Sequence, residues 1–274
     1  MTNRVAVIAG AGRFPFLVAR EAKRQGLWVI GFGISGWADP SLESHVDAYE
    51  ELNIGQLGHL LERLASHHIR QAVMAGKVTK AVLLDPRSPL DEVATGLIGQ
   101  LADFSVGSVL GAIGKRLGQA GVELLDSSTF LKHDLCPEGV LTARAPTPEE
   151  QHDIAVGLRA ARALAALDVG QTVVVKRRVV VAVEALEGTD AAIRRAHELA
   201  HDGLVVVKTA SPGHDRRFDL PVVGSDTIAT LHGSGVACLA MEAGSTLLLE
   251  REAVLAAANA ANLCLVGVSI PASS

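Results

Sequence analysis

The stretch RVAVIAGAGRFPFLVAREAKRQGLWVIGFGI, Arg4 to Ile34, constrains the fold of this chain more than any other. An apolar run ends in Gly10-Ala11-Gly12, apolar positions at helical spacing follow, and a second apolar run closes the unit. Two such strands joined by an amphipathic helix bury their faces when the helix crosses back over the sheet, so they pair in parallel with a right-handed crossover. The alternation continues with a helix expected over Gly55 to Ser66, a strand at Gln71 to Ala75, a helix at Ser105 to Gln119 and a strand at Val122 to Leu125. Residues 1–131 therefore read as an amino-terminal Rossmann-like domain built on a parallel sheet.

Residues 132–147, KHDLCPEGVLTARAPT, follow neither period and contain two prolines, which marks a connector. Thr147, Pro148 and Glu150 then spell a capping box with proline at the first helical position, so a helix opens a second domain over 148–274. In TVVVKRRVVVAVEAL, from Thr172 to Leu186, two β-branched runs flank Lys176 to Arg178, the pattern of a hairpin without the favoured Asn-Gly turn. Thr189 and Ser225 read as N-caps of two further helices, and strands are expected near Leu204 to Val207, Cys238 to Met241, Thr246 to Leu249 and Leu265 to Val268. The second domain is mixed α/β.

Composition excludes several functions. The formal net charge is −5 with basic residues scattered, and aromatic residues make up 3%, so neither a phosphate-binding stripe nor base-stacking platforms for nucleic acid are present. Cys136, Cys238 and Cys264 are odd in number, far apart and without metal-ligand spacing, which excludes a disulfide framework and fits a reducing cytosol. No uninterrupted apolar run reaches the roughly 20 residues of a membrane span, and a cytoplasmic protein is expected. HExxH and GxSxG are both absent.

Three stretches carry chemistry. Gly10-Ala11-Gly12 opens a helix directly after a strand, where backbone amides and the helix dipole receive a phosphate. The dinucleotide fingerprint is incomplete, because Pro15 stands at its third glycine and the end of the second strand, GFGISG, has no carboxylate for a ribose. A nicotinamide enzyme is therefore disfavoured. Ala75-Gly76-Lys77-Val78-Thr79 lies at the carboxyl end of a strand, the rim where open α/β sheets bind ligands. Glu187 and Asp190, with Glu184 upstream, cluster oxygen donors at a helix start that suit a hard cation such as Mg²⁺, or simply complement the helix dipole.

The loop KTASPGHDRRFDLPVVG, Lys208 to Gly224, mixes signs between two prolines that stiffen it. Arg216 and Arg217 present guanidinium forks, Lys208 a point charge, and Asp215 and Asp219 carboxylates for a water or a metal, the combination that phosphoryl chemistry uses. The alternative is a surface loop of solvated salt bridges.

LDVGQ at Leu167 to Gln171, VEALEGTDAAIRR at Val183 to Arg195, VKTASPGHDRRFDLPVVGSDT at Val207 to Thr227 and MEAG at Met241 to Gly244 resemble the UDP-2,3-diacylglucosamine pyrophosphatase family of the LpxI type. IAGAGRFP, Ile8 to Pro15, and AGKV, Ala75 to Val78, are similar to it as well. The resemblance implies a Mg²⁺-dependent, dimeric hydrolase of lipid A biosynthesis, with two α/β domains and substrate held in the crevice between them. It implies splitting of UDP-2,3-diacylglucosamine into UMP and 2,3-diacylglucosamine 1-phosphate (lipid X), and transient contact with the inner-membrane surface. The family's essential aspartate, in its DLP motif, carries over to Asp219; from the acidic cluster at the helix start, Asp190 or Glu187 is expected to complete a metal shell with it. Gly10, Gly12, Arg13, Lys77, Thr79, Gln171, Thr189, Lys208 and Arg217 are the candidate substrate contacts. A non-catalytic nucleotide-sugar-binding protein is the alternative.

Overall fold

The computed structural model describes residues 3–78, 89–211, 215–218 and 220–270. The chain divides into two compact units, Met1–Lys132 with Asp215–Phe218, and His133–His214 with Asp219–Ser274.

In the first unit β1 (Arg4–Ala9), β2 (Trp28–Ile34), β3 (Ala48–Leu52), β4 (Gln71–Ala75) and β5 (Glu123–Leu124) form one sheet in the order β3-β2-β1-β4-β5, with every pair parallel. This is the Rossmann-like order expected from the amino-terminal alternation. Helices α1 (Phe14–Arg24), α2 (Leu57–Ser66), α3 (Glu92–Ile98) and α4 (Val106–Gln119) accompany it. Central β1 is buried from Val5 to Ala9, which explains its continuous apolar run. Ala6, Ile8, Ile30, Phe32, Leu64 and Leu117 form the core, and Phe218 packs against it. β3 and α3 have no counterpart among the expected elements. In β3, AYEEL, only Leu52 is buried, so this edge strand lacks an apolar run.

The second unit begins where a connector was expected. There β6 (Gly139–Val140) pairs antiparallel with the last strand, Cys136 is 1% exposed within the core, and Thr142 Oγ1 accepts the Leu265 amide at 2.9 Å. A two-residue Gly-Val strand carries no period, which hid it from the sequence. The capping box of α5 (Pro148–Ala166) is formed as expected. Strands β7 (Thr172–Lys176) and β8 (Val179–Val183), helix α6 (Thr189–Ala200), β9 (Leu204–Lys208), β10 (Val222–Val223), α7 (Ser225–Gly233), β11 (Val236–Glu242), β12 (Leu247–Leu248), α8 (Arg251–Ala260) and β13 (Cys264–Val268) follow. The main sheet runs β6-β13-β11-β9-β7-β8, with β9, β11 and β13 parallel and β6, β7 and β8 antiparallel; β10 and β12 pair separately. Strand alternation sends Val173, Val175, Val205 and Val207 against Ile154 and Ala161 of α5, and Val174, Val206, Leu239 and Leu265 against Ile193, Leu231 and Val254 of α6, α7 and α8. The caps of α6 and α7 are Gly188 and Gly224, not Thr189 and Ser225; Thr189 turns its hydroxyl to other partners. Among the described residues no helix is long and apolar enough to cross a membrane.

The β7–β8 hairpin solves its turn unusually. Arg177 and Arg178 both take positive φ, 49° and 64°, the conformation for which Asn-Gly is normally selected. Buried Asp153 of α5 compensates, accepting the Arg177 amide at 3.0 Å and the Arg178 amide at 2.5 Å. Replacing Asp153 with Ala leaves both amides without that acceptor and is expected to cost about 1–3 kcal/mol in urea unfolding. A loss near zero would show that the turn holds itself.

In the first unit Arg63 of α2 grips Glu50 of β3 at 2.6 and 2.7 Å, and His67 Nε2 lies 2.7 Å from the same carboxylate. The Arg63 hydrogen bonds, reinforced by His67 and opposed by burial, hold the Glu50 carboxyl down at about 2 from an ordinary 4.5. A carboxyl depressed in the folded state stabilises above its unfolded value, and that stability disappears as pH falls from 4.5 toward 2. The contribution is on the order of 2–3 kcal/mol after allowance for solvent screening. Denaturation of wild type and Glu50→Gln should differ at pH 6 and converge only as pH falls below about 2; a gap that persists there would refute the assignment.

Candidate functional site

At the carboxyl edge of the first unit's sheet, the turns after β1 and β4 lock together. The Gly10 amide donates to Ala75 O at 2.8 Å, and Ala11 and Lys77 exchange amide-to-carbonyl bonds of 2.9 Å in both directions. A Cβ on Gly10 would lie 2.7 Å from Lys77 O, and one on Gly76 2.7 Å from Gly10 C, so the approach requires glycine on both turns. This corrects the phosphate-cradle reading at Gly10: its amide and that of Ala11 are bonded to protein carbonyls. Beyond the clasp Gly12 is exposed at φ 93°, exposed Arg13 places its guanidinium 5.2 Å over the Phe16 ring, and Lys77 is exposed. Thr79 lies outside the described residues.

The two loop arginines are paired in the same unit. Arg216 Nε donates to Asp126 Oδ2 at 2.7 Å; burial opposes ionisation of Asp126, yet Ser128 and Arg216 hold its carboxyl below the usual range. Arg217 Nε donates to both Asp215 oxygens at 2.8 and 2.9 Å, its Nη2 bonds the same carboxylate, and its carbonyl accepts Ser127 Oγ at 2.7 Å. For Arg216 and Arg217 the salt-bridge alternative is the arrangement found. The Nε and Nη2 edge of Arg217 is the one Asp215 occupies, so phosphate on that edge has to exchange with Asp215. Asp219 lies outside the described residues.

The second unit gathers three expected positions. Thr172 of β7 faces Lys208 of β9 in register, which brings the start of the hairpin to the carboxyl end of a parallel strand. Lys208 is only 8% exposed, and its ammonium donates to Thr189 Oγ1 at 3.1 Å and Thr172 Oγ1 at 3.4 Å. Thr189 Oγ1 donates in turn to Glu184 Oε1 at 2.9 Å. Burial works against the Glu184 charge, but Lys208, the Thr172 and Thr189 hydroxyls and the Gln171 amide together hold its carboxyl below the ordinary value. Gln171 O accepts the Thr209 amide at 3.0 Å, Glu242 at the end of β11 accepts the Ala210 amide at 3.0 Å, and the Thr209 hydroxyl is buried without a hydrogen-bond partner among the described residues. A cation, two hydroxyls and a helix N-terminus so arranged suit an anionic, oxygen-rich ligand.

Of the metal candidates, Glu187 and Asp190 lie within the described residues. Arg195 takes Glu187 Oε1 at 2.6 Å and the Ala185 amide takes Oε2 at 3.2 Å, while Asp190 is half-buried in the first turn of α6. Among the described residues no three His, Cys, Asp or Glu side chains group as a metal shell.

Residues 4–133 match the family model of the LpxI N-terminal domain, and residues 137–266 that of the LpxI C-terminal domain. The chain belongs to the LpxI family. A curated relative, the UDP-2,3-diacylglucosamine pyrophosphatase LpxI of Caulobacter vibrioides, is 32% identical over 278 residues, spanning 97% of this chain and 98% of that protein. A solved structure of CobK precorrin-6A reductase aligns at a TM-score of 0.34 and 15% identity, across 100% of this chain and 90% of that one. The resemblance read from the EGTD and RFDLP blocks is borne out.

In this LpxI chain the sequence did not point to Thr172, Thr209 or Glu242, and it read Glu184 only as one acid among several. The β7–β9 register was the available signal, since pairing Thr172 with Lys208 closes the cluster. Removing Glu184 alone, as Glu184→Ala, strands a buried ammonium and should destabilise by about 3–5 kcal/mol in denaturant unfolding. The double variant Glu184→Leu with Lys208→Met removes both charges and should recover most of that loss; no recovery would mean that the two do not act as a pair.

Proposed function

We propose that this protein hydrolyses the diphosphate of UDP-2,3-diacylglucosamine, giving UMP and 2,3-diacylglucosamine 1-phosphate in lipid A biosynthesis. The observation that carries the reading is family membership across both halves of the chain, with a pyrophosphatase relative of nearly equal length. Physical support comes from the second unit, where Gln171, Thr189 and Lys208 collect at the carboxyl end of β9. In this scheme water attacks the sugar-side phosphorus, its oxygen stays on the diacylglucosamine phosphate, and the bridging oxygen leaves with UMP. Asp219 orients that water, the Lys208 ammonium, steadied by Glu184 and Thr189, offsets charge on the diphosphate, and Thr189 opens α6 toward it.

Mg²⁺ dependence enters the proposal from the family resemblance alone. Glu187 already accepts the Ala185 amide and the Arg195 guanidinium, so as a ligand it would use its remaining lone pairs, and no step is assigned to the ion. A diacylated substrate also carries the expectation of transient contact with the inner-membrane surface, and the family that of a homodimer.

Incubation with UDP-2,3-diacylglucosamine in ¹⁸O-water, with and without Mg²⁺, followed by mass spectrometry, tests the reading. Label in diacylglucosamine 1-phosphate and none in UMP is expected, with turnover at least about a thousandfold lower in Asp219→Ala. Label in UMP would move the attack to the other phosphorus. Absence of product under every metal condition would leave a nucleotide-sugar-binding protein.

A further inference from the structure

Away from the clasp, the sheet edge of the first unit over β1, β2 and β3 carries an unassigned constellation. The chain's single tyrosine, Tyr49 of β3, lies across β2: a Cβ on Gly33 would sit 2.0 Å from its hydroxyl and one on Gly31 3.2 Å from its ring. Two residues on along the same face of β3, Glu51 reaches past the end of β2, where Ser35 Oγ donates to Glu51 Oε1 at 2.5 Å and the Ser35 amide is tied to Leu52 O at 2.8 Å. Half-buried Trp37 follows in the same turn, its amide bonded to Ile34 O at 3.0 Å. Glu51 pairs in register with Gly33, and Gly33 with Ala9, so Glu51 stands two strands from the Gly12-Arg13 turn on the same edge.

In a β3-β2-β1 half-sheet the nucleoside lies along this edge, its ribose hydroxyls held by a carboxylate at the end of the second strand. β2 ends without one, but β3 delivers a carboxylate to the same place. An ionised carboxylate has about four acceptor sites, so the Ser35 hydroxyl leaves room for a diol. In a chain with 3% aromatic residues, Tyr49 and Trp37 give this edge two of its few flat apolar surfaces.

We infer that Glu51, oriented by Ser35, is a ribose-binding residue that accepts hydrogen bonds from the 2′- and 3′-hydroxyls of a ribonucleotide laid along this edge. That the nucleotide carries uracil rests on the proposed pyrophosphatase reading. The Gly12-Arg13 turn then stands on the phosphate side of the ribose.

Isothermal titration of the full chain with UMP and 2′-deoxy-UMP, for wild type, Glu51→Ala and Ser35→Ala, tests the inference. Wild type should prefer UMP by roughly tenfold or more, and Glu51→Ala should bring the ratio to about one with its melting temperature kept. Ser35→Ala should lower the ratio partially. Equal binding of the two nucleotides by wild type, a preference that survives Glu51→Ala, or no UMP binding each overturns the inference. If UDP-2,3-diacylglucosamine is hydrolysed in those cases, the pyrophosphatase proposal stands alone. A Glu51-dependent ratio without hydrolysis keeps the ribonucleotide site and removes that proposal.

Discussion

Parallel pairing is the constraint on which both units depend. When β1 pairs with β2 and β4, and β11 with β9 and β13, these strands end on one edge of their sheet, and the chain must leave that edge in turns whose amides and carbonyls still need partners. The first unit meets this need between β1 and β4 with backbone alone, which is why two glycines face each other there. The second meets it with a side chain and a backbone carbonyl together: the Glu242 carboxylate holds the Ala210 amide as the chain leaves β9, and the Gln171 carbonyl holds the Thr209 amide. Polar side chains concentrated at that edge are first a consequence of topology. What distinguishes the Lys208 cluster is that it exceeds the backbone's needs.

Charge separates the two halves of the Lys208 to Gly224 loop. Arg216 and Arg217 form partly exposed ion pairs with Asp126 and Asp215, an arrangement that contributes little free energy and exchanges readily for another anion. Lys208 is buried and half-buried Glu184 is linked to it through the Thr189 hydroxyl, so removing either partner is costly while exchange is not offered cheaply. A buried pair fixes a charge in place. The exposed pairs leave theirs open to competition.

Strand–helix alternation, the α5 capping box and the parallel sheet were legible in the sequence, because each leaves a period or a fixed spacing. β3 and β6 were not, since AYEEL is an edge strand with one buried residue and Gly-Val has no period at all. The hairpin turn was ambiguous for a related reason: the acceptor that permits two arginines in left-handed conformation is Asp153, distant in sequence. Site residues behaved likewise. Lys208, Thr189 and Gln171 were found as types in motifs, whereas their partners Thr172 and Glu184 follow from strand register. Gly10 was misread because glycine serves close backbone approach as well as phosphate binding, and spacing does not distinguish the two.

That misreading bears on what a Rossmann-like order can hold. A dinucleotide needs its pyrophosphate at the turn after β1, on amides that here bond to Ala75 and Lys77. Opening those amides means breaking three backbone hydrogen bonds and separating turns in van der Waals contact. A single nucleoside makes no such demand, because its ribose and base lie over β2 and β3, beside the clasp. The sheet order is thus retained without its dinucleotide site, and the edge that remains usable ends in Glu51, a carboxylate placed by β3 where the second strand has none.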